Sequence, residues 1–284
     1  MAPSSYLFVP GDAPGKISKA SGSAAGALIL DLEDAVAPTA KESARRLVAA
    51  AVRDGTDRPQ TWVRVNQPPL LADDIAAVAH AAIAGVVVPK AEPQLLAEAD
   101  YLLGEAERRH RLAAGSLGII ALVESARGLL TAAEIAAHPR VVRLAIGEVD
   151  LVSVLGLQPG PDGAELLPLR LGLVIASVNA GLPAPIGPVE IRFSDDEALR
   201  DGTAALLRLG YRARFAVHPR QIPIINEVFR PSAQEVLQAR QVIEAFEAGQ
   251  RSGSGVAVAQ GQRFVDVASL GSAREVLSRH VDQA

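Results

Sequence analysis

The chain has 284 residues, of which 49% are hydrophobic and 21% are charged, and its net charge at pH 7 is −4. This composition is typical of a globular protein with a sizeable core, and the lack of a basic stripe argues against nucleic acid as a partner. The chain has no cysteine, which excludes disulfides, thiolate metal sites and cysteine nucleophiles. Without a signal peptide or an apolar run of membrane length, we expect a cytoplasmic protein with no membrane partner.

Short apolar runs alternate with stretches of helical character along the sequence. The runs occupy residues 5–11, 26–34, 61–66, 84–92, 117–125, 141–150, 184–191 and 212–219. Near-continuous apolar runs are typical of buried parallel strands, and eight strand–helix repeats predict a (β/α)8 TIM barrel, here over residues 1–230. The alternative, a doubly wound open sheet, needs a G-x-G-x-x-G fingerprint after the first strand, which is absent here.

Helix starts are indicated by local signals. Thr39, Ser194 and Ser232 each precede a glutamate by three residues, the spacing of a capping box. Pro93 suits the first turn of a helix.

Residues 231–284 form a C-terminal extension that is too short to be an independent domain. It starts with a helical stretch at 232–249, and a Gly/Ser-rich segment from residue 251 is expected to be flexible. The sequence VAVAQGQRFVDV predicts a hairpin turning at Gly261, and a last helix is predicted at 271–280. We expect this extension to act as a flap or a subunit arm.

Polar residues gather at the C-terminal ends of the runs, which all meet at one mouth of a barrel, where TIM-barrel enzymes carry out their chemistry. They are Asp31, Glu33, Asp34, Arg64, Asn66, Lys90, Glu124, Glu148, Asp150 and His218. Two carboxylates, Glu124 and Asp150, with substrate oxygens and water, suit Mg²⁺, or Mn²⁺ as the second choice. Arg64 could hold a carboxylate through two parallel hydrogen bonds. A metal and an arginine together form a receptor for a 2-oxo or 2-hydroxy acid.

Each of these residues also has a purely structural interpretation. An acid at a strand end can cap a helix or join an ion pair. Arg64 can pair with Glu33 or Asp34 in a structural network, and Lys90 can form an ion pair at the mouth. His218, which precedes a proline, can hold a turn through ring hydrogen bonds. The functional interpretation gains support because all of these residues fall on the same rim.

A series of motifs follows in a characteristic order. They are LFVPG (7–11), DLEDAV (31–36), VRVN (63–66), VPKAE (88–92), LVESARG (122–128), GEVDL (147–151) and HPRQIPIIN (218–226). Over nearly the whole chain this resembles the citrate lyase β-subunit-like (CitE-like) branch of the HpcH/HpaI aldolase superfamily. The resemblance implies a TIM barrel that cleaves or forms a carbon–carbon bond with Mg²⁺. The implied substrates are 3-hydroxy-3-carboxy acyl thioesters, such as citryl, malyl or citramalyl esters of CoA or of an acyl carrier protein.

The resemblance also implies roles for individual residues. It places the metal on Glu124 and Asp150 and the carboxylate of oxaloacetate, pyruvate or glyoxylate on Arg64. Glu148 joins these three as a substrate-binding residue. The segment GQRFVD (261–266) resembles a flap that covers a neighbouring subunit's mouth, which nominates Asp266 as a catalytic residue beside Arg64 and Glu124.

Around this set the resemblance places Glu33, Asp34 and Lys90 as supporting residues. It further implies a homo-oligomer, a trimer or a hexamer. This chain carries Val149 directly before Asp150, where relatives often have an acid. Two alternatives stay open: an aldolase acting on free hydroxy-oxo acids without CoA, and a β subunit active only within a citrate lyase complex.

Overall fold

The computed structural model of the protein describes residues 3–54, 59–251, 257–259, 263–265 and 267–281. The chain divides into two compact units, Ala2–Asn226 and Glu227–Ala284.

The first unit is a closed barrel of eight parallel strands, which confirms the predicted (β/α)8 fold. The strands are β1 Ser5–Pro10, β2 Ala27–Asp31, β3 Gln60–Arg64, β4 Gly85–Val88, β5 Gly118–Val123, β6 Val141–Ile146, β7 Ile186–Gly187 and β8 Ala213–Ala216. Helices surround them: α1 Pro14–Ser21, α2 Lys41–Asp54, α3 Leu71–Val78, α4 Pro93–His110, α5 Ala126–Leu130, α6 Ala132–Ala136, α7 Glu148–Leu155, α8 Leu167–Asn179, α9 Asp196–Arg208 and α10 Gln221–Phe229. Short 3₁₀ turns lie at Pro38–Ala40 and Ala164–Leu166.

The apolar runs form strands because both of their faces are buried. Alternate residues of neighbouring strands, among them Ile29, Trp62, Val87 and Ile120, form one buried cluster. The strand register pairs Pro10 with Asp31, and Asp31 with Arg64. Strand ends from different parts of the sequence therefore lie side by side at the same rim.

Two of the predicted helix starts are confirmed. Glu235 N donates a hydrogen bond to Ser232 Oγ at 3.2 Å, and Ser232 N donates to the Glu235 carboxylate at 2.8 Å, the reciprocal pattern of a capping box. Pro93 is the first residue of α4, where its missing N–H has no helical partner to lose.

The capping box predicted at Ser194 is wrong. Asp195 caps α9 instead, because its Oδ1 accepts a hydrogen bond from Ala198 N at 2.9 Å. Asp and Ser are equally good caps, so adjacent candidates cannot be ranked by residue type. Thr39 lies inside the 3₁₀ turn Pro38–Ala40, which leads directly into α2.

The second unit contains a pair of helices and a hairpin. Its elements are α11 Ala233–Arg251, β9 Ala257–Ala259, β10 Arg263–Val265 and α12 Val267–Val281. The helices bury an apolar cluster that includes Val242, Phe246 and Leu270. The strands pair antiparallel, with Phe264 opposite Val258, which confirms the predicted hairpin. The predicted turn at Gly261 lies outside the described residues.

Among the described residues, no helix combines the length and the apolar content that crossing a bilayer requires.

Candidate active site

A cavity of about 410 Å³ lies at the C-terminal ends of the barrel strands. Its lining includes six of the residues predicted for the barrel mouth from sequence, namely Asp31, Asp34, Arg64, Glu124, Glu148 and Asp150. They come from β2 and the segment after it, from β3, from the residue that follows β5, and from the start of α7. The barrel therefore brings together side chains that are up to 86 residues apart in the sequence, as Arg64 and Asp150 are.

Arg64 is held by the carboxylate of Asp31, another of the polar residues at the barrel mouth. Arg64 Nε donates to Asp31 Oδ1 at 2.8 Å, and Nη2 donates to Asp31 Oδ2 at 2.6 Å. The β2–β3 register places these two residues opposite each other. Such a two-bond pairing fixes the plane of the guanidinium as well as its position. The guanidinium also lies 4.9 Å from the centre of the Phe8 ring.

Two further acidic side chains, Glu33 and Asp34, lie next to the Arg64 guanidinium. Arg64 Nη1 lies 2.8 Å from Glu33 Oε2, as an ion pair without hydrogen-bond alignment, and donates to Asp34 Oδ2 at 3.2 Å. Burial alone would lower the pKa of the Arg64 guanidinium, but hydrogen bonding and charge from Asp31 outweigh it and raise that pKa. The arginine is therefore a fixed positive charge, and the structural pairing with Glu33 and Asp34 does occur.

Burial raises the pKa of Glu33 to about 7, against the lowering effect of Arg64, and the negative charges of Asp34 and Asp31 add to the rise. A carboxyl group with this pKa can hold or release a proton near neutral pH.

Glu124 is positioned by two backbone features. Its Oε1 accepts a hydrogen bond from Lys90 N at 2.8 Å, and Lys90 has a φ of 46°, in the left-handed region. On the other side lies Gly147, where an added Cβ would come within 2.5 Å of Glu124 Oε2. Gly147 therefore provides the room that the carboxylate occupies.

The electrostatics of Glu124 and Asp150 suit a metal cation. Burial raises the pKa of Glu124 to about 7; the Lys90 hydrogen bond opposes this rise and the charge of Asp150 adds to it. The negative charge of Asp150 near Glu124 favours a cation at this point of the cavity. Burial of Glu124, the charge of Asp150 and the space left by Gly147 therefore all fit a bound divalent metal.

The number of ligands favours magnesium. Within the described part of the chain, no group of three or more His, Asp or Glu side chains is placed to hold a metal. Mg²⁺ is commonly held by one or two carboxylates together with water and substrate oxygens. The pair Glu124 and Asp150 fits that pattern and would hold the metal.

Glu148 lines the cavity but is already paired. Arg170 from α8 donates to both of its carboxylate oxygens, with Nη2 at 2.8 Å from Oε2. Tyr211 Oη in turn donates to the Arg170 carbonyl at 3.0 Å. The role of Arg170 is not predictable from the sequence, since an arginine in an amphipathic helix usually indicates a solvated face.

The remaining predicted residues have different positions. Lys90 contacts the site through its backbone N–H, while its exposed side chain lines a separate groove of about 360 Å³. His218 holds a turn, as in its structural interpretation: its Nδ1 accepts from Arg220 N at 3.2 Å, and its ring stacks on Phe193 with centroids 5.3 Å apart. Asp266 lies outside the described residues.

Comparison with known proteins adds to this geometry. The family described as HpcH/HpaI aldolase/citrate lyase matches residues 4–219. The chain belongs to this family. The match covers the barrel strands and the cavity residues described above.

Individual relatives span nearly the full length. The citrate lyase subunit beta of Haemophilus influenzae is 33% identical, over 97% of this chain and 96% of its own length. The (3S)-malyl-CoA thioesterase of Cereibacter sphaeroides strain KD131 is 34% identical, over 97% of this chain and 93% of its own. The family members similar to this chain thus differ in the reaction for which they are named.

Solved structures agree with the barrel. CitE of Mycobacterium tuberculosis, in complex with magnesium, acetoacetate and coenzyme A, has a TM-score of 0.78 and 33% identity, covering 98% of each chain. The citrate lyase beta subunit of the same organism, complexed with oxaloacetate and magnesium, has a TM-score of 0.68 and 33% identity, covering 81% of this chain and 98% of its own.

Proposed function

We propose that the protein is a Mg²⁺-dependent carbon–carbon lyase or synthase. Its substrate would be a 3-hydroxy-3-carboxy acyl thioester of the malyl, citramalyl or citryl type, interconverted with an acyl thioester and a 2-oxo acid. The observation that carries this proposal is that Glu124, Asp150 and Arg64 line one cavity at the barrel mouth. Support also comes from the M. tuberculosis relatives, whose structures contain magnesium with oxaloacetate, or with acetoacetate and coenzyme A.

The chain's own residues would bind and orient the substrate. Arg64 has five N–H donors, of which three make hydrogen bonds to Asp31 and Asp34. The remaining donors can bind the carboxylate next to the bond that breaks, and the fixed guanidinium plane supplies orientation. When bound at Glu124 and Asp150, Mg²⁺ would supply Lewis-acid stabilisation of charge on the substrate hydroxyl or keto oxygen.

The proton transfers follow from the bond changes. In cleavage, a base takes the hydroxyl proton, the C–O bond becomes a carbonyl, and the electrons of the broken C–C bond leave as a thioester enolate that is then protonated. In condensation, a base removes the proton next to the thioester. We propose Asp266 for this second role, on the family resemblance of the segment 261–266.

A second candidate is hydrolysis of the thioester, because several relatives at 34% identity are named (3S)-malyl-CoA thioesterase. The two reactions give different products from the same substrate. The lyase releases a 2-oxo acid and an acyl-CoA, whereas the hydrolase releases free CoA and a hydroxy acid.

The test is an assay of the purified full-length protein with malyl-CoA, citramalyl-CoA and citryl-CoA in the presence of Mg²⁺. We expect a 2-oxo acid to form at a rate that EDTA and Glu124→Gln both abolish. The matched control is Glu134→Gln, an exposed glutamate on α6, which should leave the rate unchanged. Free CoA without 2-oxo acid would support the hydrolase instead. No turnover of any of the three esters would favour a subunit that depends on partner chains.

A further inference from the structure

The cavity lining contains two chemically different groups of side chains. One group is the set of ionisable residues already described. The other group is apolar and includes Val149, Val189, Val217 and Phe215. Val149 and Val217 keep 57% and 42% of their surface exposed, so they offer apolar contact area at the cavity wall. Apolar surface lining a concave site is the usual means of binding an apolar part of a ligand.

Acidic side chains outnumber basic ones in the cavity lining. The cavity lining contains the carboxylates of Asp31, Asp34, Glu124, Glu148 and Asp150. Asp31 is paired with Arg64, and Glu148 with Arg170. A divalent metal would neutralise Glu124 and Asp150, whereas Asp34 shares the single charge of Arg64 with Asp31 and Glu33, so this part of the cavity stays net negative.

Positive charge for a second substrate carboxylate is therefore missing. Among the described residues that line the cavity, Arg64 is the only cation, and three acids already surround it. One substrate carboxylate can bind the metal and the free donors of Arg64. A second carboxylate would find no further cationic side chain among the described lining residues to compensate for its desolvation.

We propose that this site selects a monocarboxylic 2-oxo acid with an alkyl group, such as pyruvate or 2-oxobutyrate, over the dicarboxylic oxaloacetate. Val149, Val189 and Val217 form the specificity wall that contacts the alkyl group. The inference rests on the proposed function and names the substrate class of that site. Each methylene buried against the wall should strengthen binding about fourfold, and an unpaired second carboxylate should weaken it at least about tenfold.

The test is calorimetric titration of the full-length protein, saturated with Mg²⁺ at pH 8, with pyruvate, 2-oxobutyrate and freshly dissolved oxaloacetate. We expect pyruvate and 2-oxobutyrate to bind at least about tenfold more tightly than oxaloacetate. Val217→Lys adds a cation to the wall and should reverse that order. The matched control is Val154→Lys on α7, a residue that is 62% exposed and outside the cavity lining, and it should keep the wild-type order.

The outcomes separate this inference from the proposed function. Oxaloacetate binding as tightly as pyruvate, or more tightly, would overturn the inference and leave the proposed function standing. An unchanged order in folded Val217→Lys would overturn the assignment of the wall. Absence of Mg²⁺-dependent binding for all three acids would overturn the proposed function itself.

Discussion

Asp31→Asn should destabilise the barrel strongly, because Asp31 is the buried partner that fixes Arg64. Asp31 is 1% exposed and accepts four hydrogen bonds: two from Arg64, one from Glu33 N at 2.9 Å and one from Ala35 N at 3.2 Å. Asparagine keeps the shape but removes the charge, and its NH₂ group would face hydrogen-bond donors.

The size of this loss of stability depends on the negative charges that remain around the Arg64 guanidinium. Removing one partner of a buried ion pair typically costs about 3–5 kcal/mol, since the other charge stays buried. Glu33 at 2.8 Å and Asp34 at 3.2 Å still compensate part of the charge of Arg64. We therefore expect Asp31→Asn to lower the free energy of unfolding by about 3 kcal/mol, at the lower end of that range.

Asp34→Asn is the matched control, because Asp34 contacts the same guanidinium with a side chain that is 70% exposed. Exposed pairs contribute about 0.2–1 kcal/mol. The assay is urea unfolding of both variants in EDTA, followed by the fluorescence of Trp62, the single tryptophan, which is 3% exposed in the barrel. A loss below about 1 kcal/mol for Asp31→Asn, or equal losses for both variants, would refute the reasoning.

Three further predictions concern the carboxylates and their supports. The pKa of Glu33 is about 7 in the folded protein against 4.5 for an ordinary glutamate, so the stabilisation from its bound proton is complete below about pH 4.5 and is lost as pH rises through 7. The free energy of unfolding of Glu33→Gln relative to the wild type, measured by urea unfolding, should therefore rise by about 2 kcal/mol between pH 5 and pH 8. A difference between the two proteins that stays constant over this range would contradict the prediction. Gly147→Ala should displace Glu124 and weaken Mg²⁺ binding at least about tenfold by calorimetry, whereas Gly172→Ala, whose Cβ meets nothing within 4 Å, should not. Lys90→Gly should be more stable than Lys90→Ala by about 1 kcal/mol in urea unfolding, because glycine adopts the φ of 46° without strain and alanine does not. The reverse order of stability would show that the strain is absent.

The barrel and its mouth were predictable because they depend on patterns that are local in the sequence. Runs that are apolar throughout predict strands buried on both faces, and the polar residues that end them predict the rim. The same pattern predicts that Glu124, Asp150 and Arg64 lie at one rim, independently of any family resemblance. The capping box at Ser232 was also readable, since its partners are three residues apart.

The partners of these residues were not predictable, because they depend on register and packing. Asp31 meets Arg64 through the β2–β3 register across 33 residues, and Arg170 reaches Glu148 from a helix 22 residues later. The room that Gly147 leaves for Glu124 is a property of the folded structure that residue types do not indicate. The role of Asp266 stays a prediction, since that residue lies outside the described ones.

The most direct test of the proposed metal–oxo-acid site is a calorimetric titration of Mg²⁺ into the protein in the presence of saturating pyruvate. We expect one Mg²⁺ to bind per chain, and both Glu124→Gln and Asp150→Asn to abolish that binding, while Glu134→Gln leaves it unchanged. Mg²⁺ binding that survives either substitution, or pyruvate binding that is undiminished in EDTA, would contradict the assignment of the two carboxylates as the metal ligands.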